Sequence, residues 1–397
     1  MRQQLDLTEY QPYRLAADSL PLALGRRLWA DYGQVVDVAF PSPKTADCWQ
    51  LTSQGYAGYI PLHSTLHIHL RPKVALDNLL YLLAYTYALD EWRLLDGLQP
   101  AASLPGFYAQ LADLLARRTL RRVRLGLHQA YVVGERPLPY VRGQLRPESV
   151  ARLSVTPLLT CRFEVQTAVI ADNQLIAYTL GRLARSGLLH GEIQQRVART
   201  YRLLRDGLGI GEGERPFTPA DCQRRYTRLN QDYAPLHALC YFFLSNLAAQ
   251  LPQSGSAPAT PFLVNMAQLY ERFVATWLQN NLPAGWSLQG QEQVAVGQDE
   301  ALRFNIDLVL YDPQGQPYLV IDSKYKTPDA PSNPDFNQVL VYAQAKGCQQ
   351  AVLVYPEPLP RPLDVTLAGV RVRSLTFSLA GDVAENGRNF LKSLFSP

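Results

Sequence analysis

Two stretches near the C-terminal end alternate apolar and polar positions with a period of two, as half-buried strands do. In Arg303–Tyr311, Phe304, Ile306, Leu308 and Leu310 share one face, while Asn305, Asp307 and Val309 share the other. In Tyr318–Lys324, Val320, Asp322 and Lys324 fall on one face. The intervening Asp312–Pro317 is made of turn formers, so the pattern predicts a hairpin. Upstream, Met266–Asn280 has helical spacing with Asn265 as its N-cap, and a short strand follows at about Val294–Val296. Downstream come a helix over about Asp335–Lys346 and strands at Ala351–Tyr355 and near Val370–Leu375.

The rest of the chain reads differently. Tyr56–Ile60 and Thr65–Leu70 look like short strands, and a helix starts at about Ala75. Phe107–Arg118, Asn173–Leu189, Gly191–Leu208 and Leu236–Leu251 carry helical apolar stripes, with an extended stretch at Tyr131–Val155 that turns at Arg142-Gly143. Leu251–Pro261, rich in Pro, Ser and Ala, predicts a linker. The expected division is therefore 1–100 mixed α and β, 101–250 mainly helical, 251–261 linker, and 262–397 α/β.

Composition narrows the classes. Of 397 residues 47% are hydrophobic and 18% charged, which suits a globular chain rather than a disordered one. The longest apolar run, Asn78–Leu89, is too short to span a bilayer, and the N-terminus has no apolar signal region. No membrane partner and a cytoplasmic location are expected. Five scattered cysteines without a C-x-x-C pair argue against zinc or a disulfide framework. The net charge of +4 is uneven: from Ser256 onward 10 basic residues face 13 acidic ones, so this part carries −3 and the remainder +7. An anionic partner is drawn mainly to the first two thirds.

The acidic surplus contains the sharpest chemistry. If Tyr311 pairs with Tyr318, Asp307 stands directly opposite Asp322, with Cβ atoms about 5 Å apart. Two carboxylates that close repel unless a divalent cation takes both as hard oxygen ligands. Lys324 on the same face adds a positive charge, and Glu271 on the preceding helix is a third candidate ligand. One or two Mg²⁺ ions at such a site would activate water and polarise a phosphoryl oxygen. A bulge would spoil this register, D-x-K alone is a weak signal, and solvated strand or helix carboxylates are the competing account.

Other clusters carry less. His67 and His69 share a strand face near His63, but no acidic or Cys partner adjoins them, and packing or surface roles are expected. Arg117, Arg118, Arg121, Arg122 and Arg124 form the densest basic run, a solvated helix face or a contact for phosphate or an acidic partner. Gly207–Gly213 is Gly-rich but lacks the Lys of a phosphate loop, and reads as a loop.

Asp307, Asp322-Ser323-Lys324 and Glu271 resemble the PD-(D/E)xK nuclease signature, and Gln338 with Tyr342 is similar to the Q-x-x-x-Y element of RecB-like members. The wider text resembles the McrC family, the nuclease subunit of modification-dependent restriction systems. The likeness rests on Leu269-Tyr-Glu-Arg-Phe273, Ile321–Lys326, Asp335–Gln338 through Tyr342-Ala343 and Val354-Tyr-Pro356, with softer echoes at Leu66–Lys73, Asn78–Leu80, Arg124–Leu127, Tyr131 and Val141–Leu145. Ser323 stands where many relatives carry Ala.

That resemblance implies an α/β multi-domain protein: an N-terminal α+β docking region, a mainly helical middle and a C-terminal restriction-endonuclease-like nuclease domain. It implies Mg²⁺-dependent cleavage of double-stranded DNA by Asp307, Asp322, Lys324 and Glu271, with Gln338 and Tyr342 supporting. It also implies a hexameric McrB-like AAA+ GTPase partner that docks on the N-terminal region. A stand-alone PD-(D/E)xK repair nuclease and a non-catalytic activator of an AAA+ protein are the alternatives.

Overall fold

The computed structural model describes residues 3–63, 66–89, 101, 103–147, 158–209, 216–222, 224–247, 261–296 and 302–396. The first third is strand-rich: β1 (Gln3–Thr8), β2 (Tyr13–Ala16), helix α1 (Leu22–Tyr32), β3 (Val36–Ala39), β4 (Cys48–Ser53), β5 (Tyr56–Pro61), β6 (Leu66–Arg71) and α2 (Leu76–Thr86). The middle holds α3 (Leu104–Leu125), β7 (Ala130–Leu138), β8 (Gln144–Leu145), β9 (Leu159–Thr167), α4 (Ala171–Arg185), α5 (Gly191–Leu208) and α6 (Ala234–Asn246). The last third runs β10 (Phe262–Asn265), α7 (Met266–Asn281), β11 (Ser287–Val296), β12 (Leu302–Tyr311), β13 (Pro317–Ser323), α8 (Asn333–Lys346), β14 (Gln350–Tyr355), β15 (Asp364–Leu367), β16 (Val370–Thr376) and α9 (Val383–Leu394). This is a mixed α/β chain with several sheets. Among the described residues no helix is long and apolar enough to cross a membrane.

Contacts divide the chain otherwise than the expected partition. Residues 1–107 and 248–397 form one unit, and 108–247 the other. The reason is visible at β10. Its four residues pair antiparallel with β5, Phe262 facing Tyr59 and Val264 facing Ala57, and so complete the sheet β1-β6-β5-β10. Phe262 and Val264 are buried, so the strand cannot be peeled away without exposing apolar surface. In the sequence only Asn265 of this strand carried an expectation, as the N-cap of the following helix. The expected linker, apart from Pro261, lies outside the described residues.

The N-terminal part of this unit packs that sheet, with β1 parallel to β6, against the antiparallel sheet β2-β4-β3. Leu5, Leu7, Trp49, Ile60, Ile68 and Leu263 belong to one core. The C-terminal part is built on the sheet β11-β12-β13-β14-β16-β15. Its centre is parallel, β13 to β14 to β16, and its flanks are antiparallel. Leu319–Asp322 of β13 are all buried, as in a central strand covered on both faces.

Local chemistry sets the ends of these elements. The Asn265 side chain accepts from Gln268 N at 3.1 Å, the N-cap expected for α7. Asp312 Oδ1 accepts from Gln314 N and Gln316 N at 3.0 and 2.8 Å and closes the β12–β13 turn, where Gly315 takes a φ of 77°. An aromatic cluster joins α7 to its neighbours: Phe377 lies 5.1 Å from Phe273, 5.2 Å from Trp277 and 5.0 Å from Phe390. Helix α9, which supplies Phe390 and is N-capped by Asp382, is absent from the sequence reading.

In the other unit, β7-β9-β8 form a small antiparallel sheet and α4 to α6 supply most of the buried apolar residues. Part of the arginine run is committed to internal ion pairs. Arg117 contacts Asp113 at 2.9 Å, and Arg122 contacts Asp232 at 3.3 Å while lying over the Tyr233 ring. Gly209, at a φ of 63°, caps α5; the remainder of the Gly-rich stretch, from 210, lies outside the described residues.

The β5–β10 pairing yields a test. Gly58 has a φ of 144°, and a Cβ there would sit 2.1 Å from Phe262 O. Gly58→Ala is expected to push β10 off its sheet and lower unfolding free energy by about 2–4 kcal/mol, read by denaturant titration. A change below about 0.5 kcal/mol, the range of neutral surface substitutions, would mean that β10 contributes little.

Candidate active site

The two hairpin strands bring the acidic residues together. Leu308 faces Ile321, Val309 faces Val320 and Leu310 faces Leu319, which is the register expected from the sequence, and its continuation sets Asp307 opposite Asp322. The expected Tyr311–Tyr318 pair is corrected. Tyr311 faces Pro317, with an irregularity after Leu310. Pro317 has no N–H to give to the ladder, so the shift is absorbed at the turn end, three residues from Asp307.

Asp322 is completely buried. Burial pushes its carboxyl up to about 7, the hydrogen bond shared with Asp307 adds to this, and the Lys324 charge opposes it. Asp307 is also raised, chiefly by burial, with the Glu271 charge adding to it. Lys324 Nζ lies 2.8 Å from Asp322 Oδ2. Burial works against the Lys324 charge, but Asp322 outweighs it and holds the ammonium above its ordinary value. Its backbone is anchored by Lys324 N donating to Val354 O at 2.8 Å, where β13 leaves the parallel ladder.

Helix α8 aims the ammonium. Lys324 Nζ donates to Gln338 Oε1 at 3.1 Å, and Gln338 Nε2 donates to Tyr342 Oη at 2.9 Å. These two residues are one turn apart on one helix face, as their spacing implies. Tyr342 in turn packs edge-on against Phe304 of β12, 5.9 Å between ring centroids. Ser332 caps the helix, and its hydroxyl donates to Asp335 Oδ2 at 2.6 Å.

Glu271 on α7 is half-buried. Burial raises its carboxyl, and the Asp322 charge contributes while Lys324 opposes. Its Oε1 accepts from Gln291 Nε2 at 2.5 Å. Gln291 stands opposite Asp307 on β11, between the pairs Gly290–Leu308 and Glu292–Ile306, in a left-handed backbone conformation at φ 53°. Asn305 Nδ2 donates to Gln291 Oε1. A strained glutamine thus holds Glu271 beside the paired aspartates.

Sequence reasoning missed Gln291 because its role depends on backbone strain and a cross-strand neighbour. It also missed Asp335 as a bridge: Lys326 Nζ lies 2.5 Å from Asp335 Oδ2 and Lys324 Nζ 4.0 Å from Asp335 Oδ1. Burial pushes Asp335 up, but the bonds from Lys326 and Ser332 outweigh it and leave this carboxylate below its usual range. In the sequence Asp335 stood only at the start of the expected helix and of the family-like run Asp335–Gln338.

The donor set suits a hard cation that keeps water. Both Asp322 oxygens are buried, and the polar groups facing them are the Asp307 carboxyl and the Lys324 ammonium. Among the described residues no three His, Cys, Asp or Glu side chains are grouped so that they could hold a metal ion, so Glu271 does not join the two aspartates as a third ligand in this structure. Mg²⁺ commonly uses one or two carboxylates and retains several waters, so the Asp307–Asp322 pair fits it, with Glu271 turned to Gln291. The histidine cluster packs against an aromatic ring, and the expectation that no acidic residue adjoins it is corrected by Asp6. Tyr59 stacks on His67 at 5.2 Å and meets His69 edge-on at 5.1 Å, and His69 Nδ1 lies 3.8 Å from Asp6 Oδ1.

Comparisons with known proteins concern the chain as a whole. The model of a family described as McrBC 5-methylcytosine restriction system component matches residues 51–356. No curated protein matches the chain. Among solved structures it is similar to a refined half-complex from a tetradecameric assembly of Thermococcus gammatolerans McrB AAA+ hexamers with bound McrC. That match has a TM-score of 0.53 and 16% identity and covers 99% of this chain and 100% of the other, a likeness of fold. A cryo-EM structure of the Thermococcus gammatolerans McrBC complex matches with a TM-score of 0.43 and 17% identity over 71% of this chain and 88% of that one.

The buried pair is expected to make the stability of the metal-free protein depend on pH. The raised Asp322 carboxyl lets the folded chain hold a proton that the unfolded chain releases between its ordinary range and about pH 7. Stability contributed by this group is therefore present at low pH and lost as pH rises through that window. In metal-free buffer Asp322→Asn is expected to be more stable than the parent at about pH 8 by about 1–4 kcal/mol, with the gap closing toward about pH 4. Denaturant unfolding across this range checks it, and parallel curves for both proteins would contradict it.

Proposed function

The chain belongs to the McrBC 5-methylcytosine restriction system component family, and from that premise we propose that it is the DNA-cleaving subunit of a McrBC-type restriction complex. The observation that carries the reading is the Asp307–Asp322 pair with Lys324 Nζ at 2.8 Å. In this reading the C-terminal part of the unit is a restriction-endonuclease-like domain of the PD-(D/E)xK type.

Asp307 and Asp322 would hold one or two Mg²⁺ ions, with Glu271 as the next carboxylate within electrostatic reach. The ion supplies Lewis acidity toward the phosphoryl oxygen and activates water. The remaining work falls to the chain's own residues. Gln338 and Tyr342 fix Lys324 Nζ, so its charge faces the anionic phosphoryl group without a conformational search. Gln291 restrains Glu271. As a metal ligand Asp322 would have to be ionised, against the burial that pushes its carboxyl up to about 7.

Binding and activation are proposed to come from a partner. The segment from Ser256 carries −3, a poor surface for DNA by itself. The similar Thermococcus gammatolerans structure has McrC bound to McrB AAA+ hexamers. By analogy, a hexameric AAA+ GTPase docks on the N-terminal region of this chain and delivers double-stranded DNA. Because β10 completes the N-terminal sheet, a fragment ending near residue 250 removes part of that sheet, and point variants of the full chain are the fairer probe.

Asp322→Ala is expected to reduce cleavage of modified duplex DNA to background in the presence of the AAA+ partner, GTP and Mg²⁺, while still binding the partner. Gel assay and copurification measure the two properties, and full cleavage by the variant would refute the assignment. The parent chain alone with Mg²⁺ is expected to cut little or nothing. Efficient cutting by the isolated chain would point instead to a stand-alone nuclease.

A further inference from the structure

A second feature lies beside the lysine-bearing strand end, in the same unit. Residues directly after Lys324 line one side of a cleft of about 640 Å³, which Tyr10, Lys73, Asn78, Tyr325, Lys326 and Glu357 help to form. That volume lies within the range of small-ligand sites. Most of the exposed wall is apolar, and the cations stand against it.

Three observations give the cleft a chemical preference. Tyr10 is 44% exposed and has a φ of 57°, an uncommon conformation for a bulky side chain. Lys73 Nζ lies 5.5 Å from the centroid of the Tyr10 ring, and its charge also acts on the buried Glu9. Lys326 is linked to the site already described, because Asp335 faces both Lys326 and Lys324. The carboxylate of Glu357 is exposed, so water screens it.

The walls themselves are held firmly. Glu9 Oε2 accepts from Tyr325 Oη at 3.1 Å and from Lys73 N at 3.2 Å, tying the end of β1 to both sides of the cleft. Asn78 Nδ2 donates to Leu379 O at 2.5 Å and joins α2 to the opposite wall. A preorganised cleft with apolar walls, an exposed ring and two ammonium groups matches an amphipathic anion with a flat apolar part. A nucleotide has that character, since its base stacks on aromatic side chains and its phosphate seeks Lys.

We propose that this cleft binds a nucleotide of the nucleic-acid strand next to the one presented to Asp307 and Asp322, with its base against Tyr10 and its phosphate between Lys73 and Lys326. The choice of ligand rests on the reading of the chain as a DNA-cleaving subunit. A strand held at the carboxylate site would lie near Lys326, because Asp335 faces both Lys324 and Lys326. Lys73 then acts as a positioning residue, outside the reacting atoms.

The test is photo-crosslinking of the full chain, in EDTA, to a short single strand carrying thiothymidine, with the adduct mapped by mass spectrometry. The expected adduct lies on Tyr10, on residues 73–78 or on residues 325–328. Lys73→Glu is expected to lower its yield severalfold, and Lys73→Gln to reduce the slope of log affinity against log salt by about one. Asp322→Ala is expected to keep the adduct while losing metal-dependent cleavage with the partner present. Adduct formation without any Asp322-dependent cleavage would sink the nuclease reading and leave the nucleotide cleft standing. Asp322-dependent cleavage with no adduct in these segments, or a yield that Lys73→Glu leaves unchanged in a folded protein, would overturn the cleft.

Discussion

The contact between Asp307 and Asp322 across β12 and β13 is the constraint around which the C-terminal part is arranged. Two carboxyls facing each other in a buried sheet disfavour ionisation, and their neighbours reduce that cost. Lys324 provides an ammonium at 2.8 Å, and α8 holds that ammonium through Gln338 and Tyr342. The parallel pairing of β13 with β14 fixes the height at which Lys324 leaves the sheet. A buried like-charge pair weakens a fold unless something else supplies the energy, and here the closely packed Ile306, Val309, Val320, Leu353 and Tyr355 do so. Perturbed carboxyls of this sort cluster at sites of chemistry, as they also do in structural ion-pair networks.

The N-terminal segment has a more intimate role than a separate docking body would. Strand β10 closes its sheet from the far end of the chain. Buried Glu9 receives hydrogen bonds from Tyr325, next to Lys324, and from the backbone of Lys73. A force on β1 or on the turn at Lys73 would therefore reach the loop that follows Lys324. Under the proposed function this provides a physical connection between partner docking and the cutting site, built from hydrogen bonds within one unit.

Much of the local structure is legible in the sequence because it is written in short-range patterns. The alternation in β12 and β13, the turn at Asp312–Pro317, the Asn265 cap and the i, i+4 spacing of Gln338 and Tyr342 each depend on residues a few positions apart. The hairpin register follows from the turn length and the alternation, since a slip by one residue would carry the apolar set to the wrong face. Asp307, Asp322 and Lys324 could thus be brought together on paper. Glu271 was legible as a helix-borne acid, but its tie to Gln291 was not, because that needs a glutamine in a left-handed conformation on another strand.

By itself, then, the sequence determined the order of helix and strands from α7 to β14, the face that carries the acids and the lysine, and the resemblance that names a family. Tertiary structure decided that residues 1–107 and 248–397 form one unit, that β10 belongs to the N-terminal sheet, and that Glu9, Lys73 and Tyr325 meet. The physical reason is range. Periodicity and capping act over one or two turns, whereas the pairing of Phe262 with Tyr59 and the bond from Tyr325 to Glu9 join residues about 200 to 316 positions apart. Such contacts are selected by the burial of whole surfaces, and no local pattern encodes which distant edge a short apolar strand will complete.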